Sequence, residues 1–201
     1  MTRTNALDVQ RAAALDGVAG VAPLPPRRRP SGARVVAGTE ARDHGAAFEA
    51  WLKAQHALAS RYGLAHVRHV GPPVAHTGPN GSRLVVIGRG PADYQGTLRG
   101  GRAVAVEAKS RDKRLSRAEI PEHQQADLTD VDALGGLALL VVELRAADAV
   151  YAVEWGRVPW TVRTRKVQRH GVEVTERSES VGVEELAAWR IADGCYLGRW
   201  V

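Results

Sequence analysis

The chain has 201 residues, 44% hydrophobic and 25% charged, the make-up of a globular protein large enough to bury one sizeable core. Lys and Arg outnumber Asp and Glu by 28 to 22, a formal charge of +6, which points to a polyanionic partner with nucleic acid foremost. The single cysteine, Cys195, excludes an internal disulfide framework and a cysteine-built zinc cage.

No apolar run approaches a membrane span, and Arg3 and Arg11 are followed by no continuous apolar stretch of the signal-peptide kind. A cytoplasmic, nucleoid-associated location is therefore expected, with no membrane partner. Residues 1–44 are expected to form a basic, flexible arm. Pro23-Leu24-Pro25-Pro26-Arg27-Arg28-Arg29-Pro30 cannot sit inside a helix, and a triple arginine has no place in a core. Such an arm either tracks phosphates or is simply solvated.

Residues 45–201 are expected to form one domain. The spacing predicts a first helix from His44-Gly45 to Tyr62, with Phe48, Trp51, Leu52, Leu58, Ala59 and Tyr62 on one face and Gln55 interrupting the stripe. Glu49, beside that face, is accounted for by pairing with Lys53 one turn on. Ala65 to Val70 is β-like, and Arg83 to Gly88 is a strand. Between them Gly71-Pro72-Pro73 breaks the chain and Gly78-Pro79-Asn80-Gly81 turns it. Residues 68–91 thus read as a projecting arm. His66, His69 and His76 around it match no tight metal-binding spacing and are read as structural or phosphate-facing.

Next comes Asp93-Tyr94-Gln95-Gly96, a turn at Gly100-Gly101, and an alternating strand from Ala103 to Lys109. With a period of two, Ala103, Ala105, Glu107 and Lys109 share one face. A hairpin therefore gathers Asp93, Glu107 and Lys109. Around it, Arg99 to Arg117 holds seven cations (Arg99, Arg102, Lys109, Arg111, Lys113, Arg114 and Arg117) against two acids. After a basic connector, Pro121 opens a helix running to Leu134 and stopped by Gly135-Gly136. Gln124 shares its inward face with Leu128 and Val131 and so requires a partner. Leu137 to Leu144 and Ala149 to Trp155 read as strands. A basic extension over 157–180 includes Arg163, Arg165 and Lys166, with a hairpin at Trp160–Arg163 and Gly171–Val174. A short helix from Val183 and an apolar tail from Tyr196 close the chain. The whole is an α/β fold, a mixed central sheet flanked by helices with a projecting arm.

Phosphodiester hydrolysis requires a divalent cation, an activated water and a stabilising positive charge. Asp93 and Glu107 are candidate Mg²⁺ ligands, the carbonyl of Ala108 a further one, and Lys109 the group that positions water or offsets charge. The same three side chains also fit a surface salt-bridge ladder, and spacing alone does not choose. No P-loop, GxGxxG, HExxH or GxSxG is present.

Asp93 with Glu107-Ala108-Lys109 resembles the PD-(D/E)xK nuclease motif. The local sequences resemble the RecU-type Holliday-junction resolvases more closely still. Asp93-Tyr94-Gln95-Gly96 is similar to that family's Asp-Tyr-x-Gly, and Val106-Glu107-Ala108-Lys109 to its Phe-Glu-Ala-Lys. Ile120-Pro121-Glu122-His123-Gln124 is similar to its Ile-x-x-His-Gln, and Gly45 to Glu49 to its early Gly-x-x-x-Glu. The resemblance spans Gly45 to Leu144. It implies a restriction-endonuclease-like fold and a homodimer that cuts opposed strands of a four-way junction with Mg²⁺ or Mn²⁺. Asp93 and Glu107 become metal ligands, Lys109 the catalytic lysine, Gln124 a site-lining residue and Glu49 an auxiliary acid. Arg68, Arg99, Arg102, Arg111, Lys113, Arg114, Arg117, Arg163, Arg165 and Lys166 are the expected DNA contacts. Three departures stand out. Ala92 replaces the family's usual Thr, the 68–91 arm is short, and Trp160 to Ser180 has no recognisable counterpart. A restriction- or repair-type nuclease and a non-catalytic recombination accessory protein remain the alternatives.

Overall fold

A computed structural model of the chain describes residues 35–169, 172–191 and 194–201. Of the arm expected over residues 1–44, the first 34 residues lie outside them. Of the described residues, 35–66 and those from 191 on form one compact unit, and Val67–Arg190 the other.

The first unit is built on helix α1 (Val35–Arg61). It begins nine residues before the start expected at His44. The chain between Pro30 and His44 contains no proline, and Gly38 and Gly45 each cost a helix only about 1 kcal/mol. Its buried stripe is Phe48, Leu52, Gln55, His56 and Ala59, while Tyr62 is 37% exposed. The polar interruption has a partner. Gln55 Oε1 accepts a hydrogen bond from the backbone N–H of Tyr196 at 3.3 Å, and His56 Nε2 lies 2.6 Å from the Tyr196 hydroxyl. Trp51 stacks on both Phe48 and Tyr196. The apolar tail thus docks on α1, with Cys195, Tyr196 and Leu197 buried.

The second unit carries a five-stranded mixed sheet. In spatial order its strands are β1 (Ala65–His69), β4 (Tyr94–Leu98), β5 (Ala103–Arg111), β7 (Leu137–Leu144) and β8 (Ala149–Glu154). β4 and β5 are antiparallel, β5 and β7 parallel, β7 and β8 antiparallel. Two glycines at positive φ, Gly100 and Gly101, make the β4–β5 turn, a conformation that costs other residues strain. The parallel pair requires a crossover, and helix α2 (Glu122–Ala133) supplies it. Every residue of β7 is buried, as its continuous apolar sequence predicts. α2 sets Leu128 and Val131 against Ala105, Leu140 and Val142 on one face of the sheet. Gly136 ends the crossover, where any Cβ would lie 2.6 Å from Val131 Cγ1 and 2.8 Å from the Val131 carbonyl oxygen.

The expected arm is a hairpin of β2 (Val74–Thr77) and β3 (Arg83–Val86). The connector after β5 contains a strand the sequence did not reveal, β6 (Arg114–Ser116), because one buried Leu115 is too little alternation to detect. β6 pairs with β10 (Val172–Gly182), which pairs in turn with β9 (Thr161–Arg169). The hairpin expected in the basic extension is therefore real but longer. A single turn of helix, α3 (Val183–Leu186), follows. The fold is the mixed α/β, restriction-endonuclease-like one.

Candidate active site

Alternation along β5 puts Glu107 and Lys109 opposite Leu140 and Val142 of β7, on the sheet face that α2 covers. Asp93 stands immediately before β4, whose first residue pairs with Val106, and so meets Glu107 across the hairpin. The contact is direct. The Asp93 N–H donates to Glu107 Oε2 at 3.3 Å, and the Ala108 N–H donates to Asp93 Oδ2 at 3.1 Å. Lys109 Nζ donates to Glu107 Oε1. From α2, Gln124 Nε2 donates to Asp93 Oδ1 at 3.3 Å and to the Pro91 carbonyl at 3.4 Å. The inward-facing amide has found the partner that its position demanded.

Glu107 is fully buried. Burial, and then the neighbouring charge of Asp93, push its carboxyl up to about 7, against the opposing pull of Lys109. Two carboxylates held side by side, one of them desolvated, form a pair that a divalent cation relieves. Their donors are all hard oxygens, the set magnesium prefers and zinc does not. Among the described residues no group of three or more His, Cys, Asp or Glu is placed to hold a metal. Ala108 enters this arrangement through its N–H.

A family model described as RecU, Recombination protein U, matches residues 89–182. This segment belongs to the RecU family. It is the family of the Holliday-junction resolvases, which places the RecU segment in DNA recombination and its expected ligand among DNA junctions. The match takes in Asp93, Glu107, Lys109 and Gln124. It also runs through β9 and β10, the hairpin for which the sequence offered no recognisable counterpart. Glu49 lies outside it, exposed on α1 in the other unit. No curated protein matches the chain.

The cations of the RecU segment fall into two groups. Arg114 forks onto Glu185 at 2.7 and 3.2 Å and onto the Ser180 carbonyl, a half-buried clasp between β6, β10 and α3. Arg117 bonds Glu179 at 2.9 Å and Gln125 at 3.0 Å, and lies over the rings of Trp155 and Trp160. Arg102 bonds the carbonyls of Gly135 and Gly136 at 3.0 and 2.7 Å, tying the β4–β5 turn to the end of α2. All three bond groups of the chain itself, Arg117 through a pair that is itself exposed. Arg165 and Lys166 form exposed cross-strand pairs with Glu176 and Glu173, Arg163 lies 3.9 Å from Glu185, and Arg111 bonds Glu119. Exposed pairs of this kind are weak. Lys113, Arg68 and Arg99 are exposed.

One residue beside the site escaped the sequence reading. Asp127 Oδ2 accepts the Ala92 N–H at 2.9 Å and Gln95 Nε2 at 3.2 Å. The available signal was Asp127's place three residues after Gln124, on the same helical face.

Proposed function

We propose that the chain is a Mg²⁺-dependent, structure-selective DNA endonuclease that resolves four-way junctions by hydrolysing opposed strands, with Mn²⁺ as an alternative metal. The observation that carries the reading is the fully buried Glu107 beside Asp93, with Lys109 on its second oxygen. A surface salt-bridge ladder does not bury a carboxylate.

Asp93 and Glu107 would hold the cation, with the Ala108 carbonyl as a further ligand. When bound, such an ion offsets phosphate charge and makes a water acidic enough to attack. The remaining work falls to the chain. Gln124 and the Ala108 N–H fix the Asp93 carboxylate in one orientation. Lys109 bonds Glu107 and stands two residues along the same strand face, where it orients a water or balances charge developing on phosphate. Arg111, on that face again, and the exposed Lys113 extend the positive rim along the bound strand.

Cutting opposed strands calls for two sites related by a two-fold axis, hence a homodimer. Binding then weakens steeply with salt as counterions are released. The test is cleavage of a four-way junction, a flap and a linear duplex in Mg²⁺. Preferential, paired cutting of the junction is expected, and equal cutting of all three refutes the resolvase reading in favour of a restriction- or repair-type nuclease.

A further inference from the structure

Helix α2 grips the chain around Asp93 at four points. Gln124 takes the Pro91 carbonyl and Asp93 Oδ1. Asp127 takes the Ala92 N–H and the Gln95 side chain. Ala92 is fully buried and precedes β4, so its N–H lies outside the strand ladder. Left unpaired, such a donor is costly. Asp127 answers it, and no cation pairs with Asp127 among the described residues. Asp127 thus holds two donors on one carboxylate oxygen.

We propose that Asp127 is a positioning residue for this site, setting through Ala92 and Gln95 the distance at which the Asp93 carboxylate meets Glu107 and the Ala108 N–H. Gln95 fills the variable position of Asp93-Tyr94-Gln95-Gly96, and Ala92 stands where the resembling family carries a hydroxyl. The consequence of this link for metal binding rests on the nuclease reading; its geometry does not.

The test uses the full chain and two readouts, amide hydrogen exchange at Ala92 and Ala108 and titration with Mn²⁺ alone. Asp127→Ala speeds exchange at both amides, because Asp93 no longer stays over Ala108, and weakens Mn²⁺ binding by roughly 10–100-fold. Unchanged exchange at Ala108 overturns the proposal. Wild-type protein that binds no Mn²⁺ refutes the nuclease reading instead, and exchange at Ala108 still decides the role of Asp127. Should Asp127→Ala fail to fold, Gln95→Ala removes one of the two donors with the carboxylate in place and should still speed exchange at Ala108; unchanged exchange there overturns the proposal. Asp127→Asn, whose amide oxygen can take both donors as Oδ2 does, should keep Ala108 protected, and loss of that protection overturns the proposal as well. So does an Asp127→Ala protein that melts earlier yet protects Ala108 as the wild type does, because that is the mark of a purely structural residue.

Discussion

Glu107→Gln makes the burial of the site's central carboxylate measurable without any substrate. In the folded chain Glu107 titrates at about 7 against an ordinary 4.5. One pKa unit is worth about 1.4 kcal/mol, so the shift corresponds to roughly 3 kcal/mol. The direction follows from proton counting. Between pH 4.5 and 7 the folded state keeps a proton that the unfolded state has released, so unfolding free energy falls as pH rises through that window and the full cost is present above it. Glutamine carries no such charge. Without divalent metal, wild type should lose about 2–3 kcal/mol between pH 5 and pH 8 that Glu107→Gln does not lose. For a chain of this size that is roughly 5–10 °C of melting temperature. The comparison across pH also cancels the constant cost of taking an acceptor from Lys109. Melting both proteins in EDTA at pH 5 and pH 8 checks it, and adding Mg²⁺ at pH 8 should then raise the wild type alone. A wild-type-to-variant difference that is the same at both pH values would falsify the assignment of Glu107 as a strained, metal-seeking carboxylate.

Asp93→Asn should abolish Mg²⁺-dependent junction cutting while leaving junction binding in EDTA intact, as read by cleavage and gel-shift assays on one preparation. His56, pushed down to about 4 by burial, is neutral when folded. Stability is then complete above pH 6.5 and lost as pH falls from about 6.5 towards 4, and His56→Gln should flatten that slope in a melting series. Arg114 holds Glu185 down to about 2 through hydrogen bonds, so this clasp is intact above pH 4.5 and lost as pH falls from there towards 2. Arg114→Met should lower the melting temperature at pH 7 and remove the clasp's contribution to acid unfolding below pH 4.5.

What was legible in the sequence were features with a strong local period or a hard stop. Leu137–Leu144 announced itself as an all-apolar strand, and Pro121 and Gly135-Gly136 bracketed α2 to within two residues. Asp93, Glu107 and Lys109 were legible because strand alternation is rigid enough to fix which residues share a face. Gln124 stood out as a polar residue in an apolar row. Asp127 did not, because an acid on a half-exposed helix face looks like any solvated acid until its acceptor role towards Ala92 is visible. β6 was lost for want of length. The ion pairs of Arg114 and Arg117 were lost because their acids, Glu185 and Glu179, come more than sixty residues later. The basic segment reads as one cationic surface, whereas Arg114 and Arg117 also bond distant acids of the chain. Gln55 was noticed as an interruption, but its partner is 141 residues away and nothing local points to it.

That last separation bears on the order in which the chain folds. Asp93, Glu107, Lys109, Gln124 and Asp127 come from one continuous stretch, closed by a turn, a hairpin and a single crossover helix. Such neighbours find each other quickly. The buried polar residues of α1, by contrast, wait for Tyr196, about 140 positions on, so their loop-closure cost falls due last. On a ribosome the carboxylate pair would be assembled while α1 still lacked its cover. The carboxylate cluster then matures before the helix made first, and a chain stalled short of Cys195 would emerge with that cluster built and an apolar helix face still open to a chaperone.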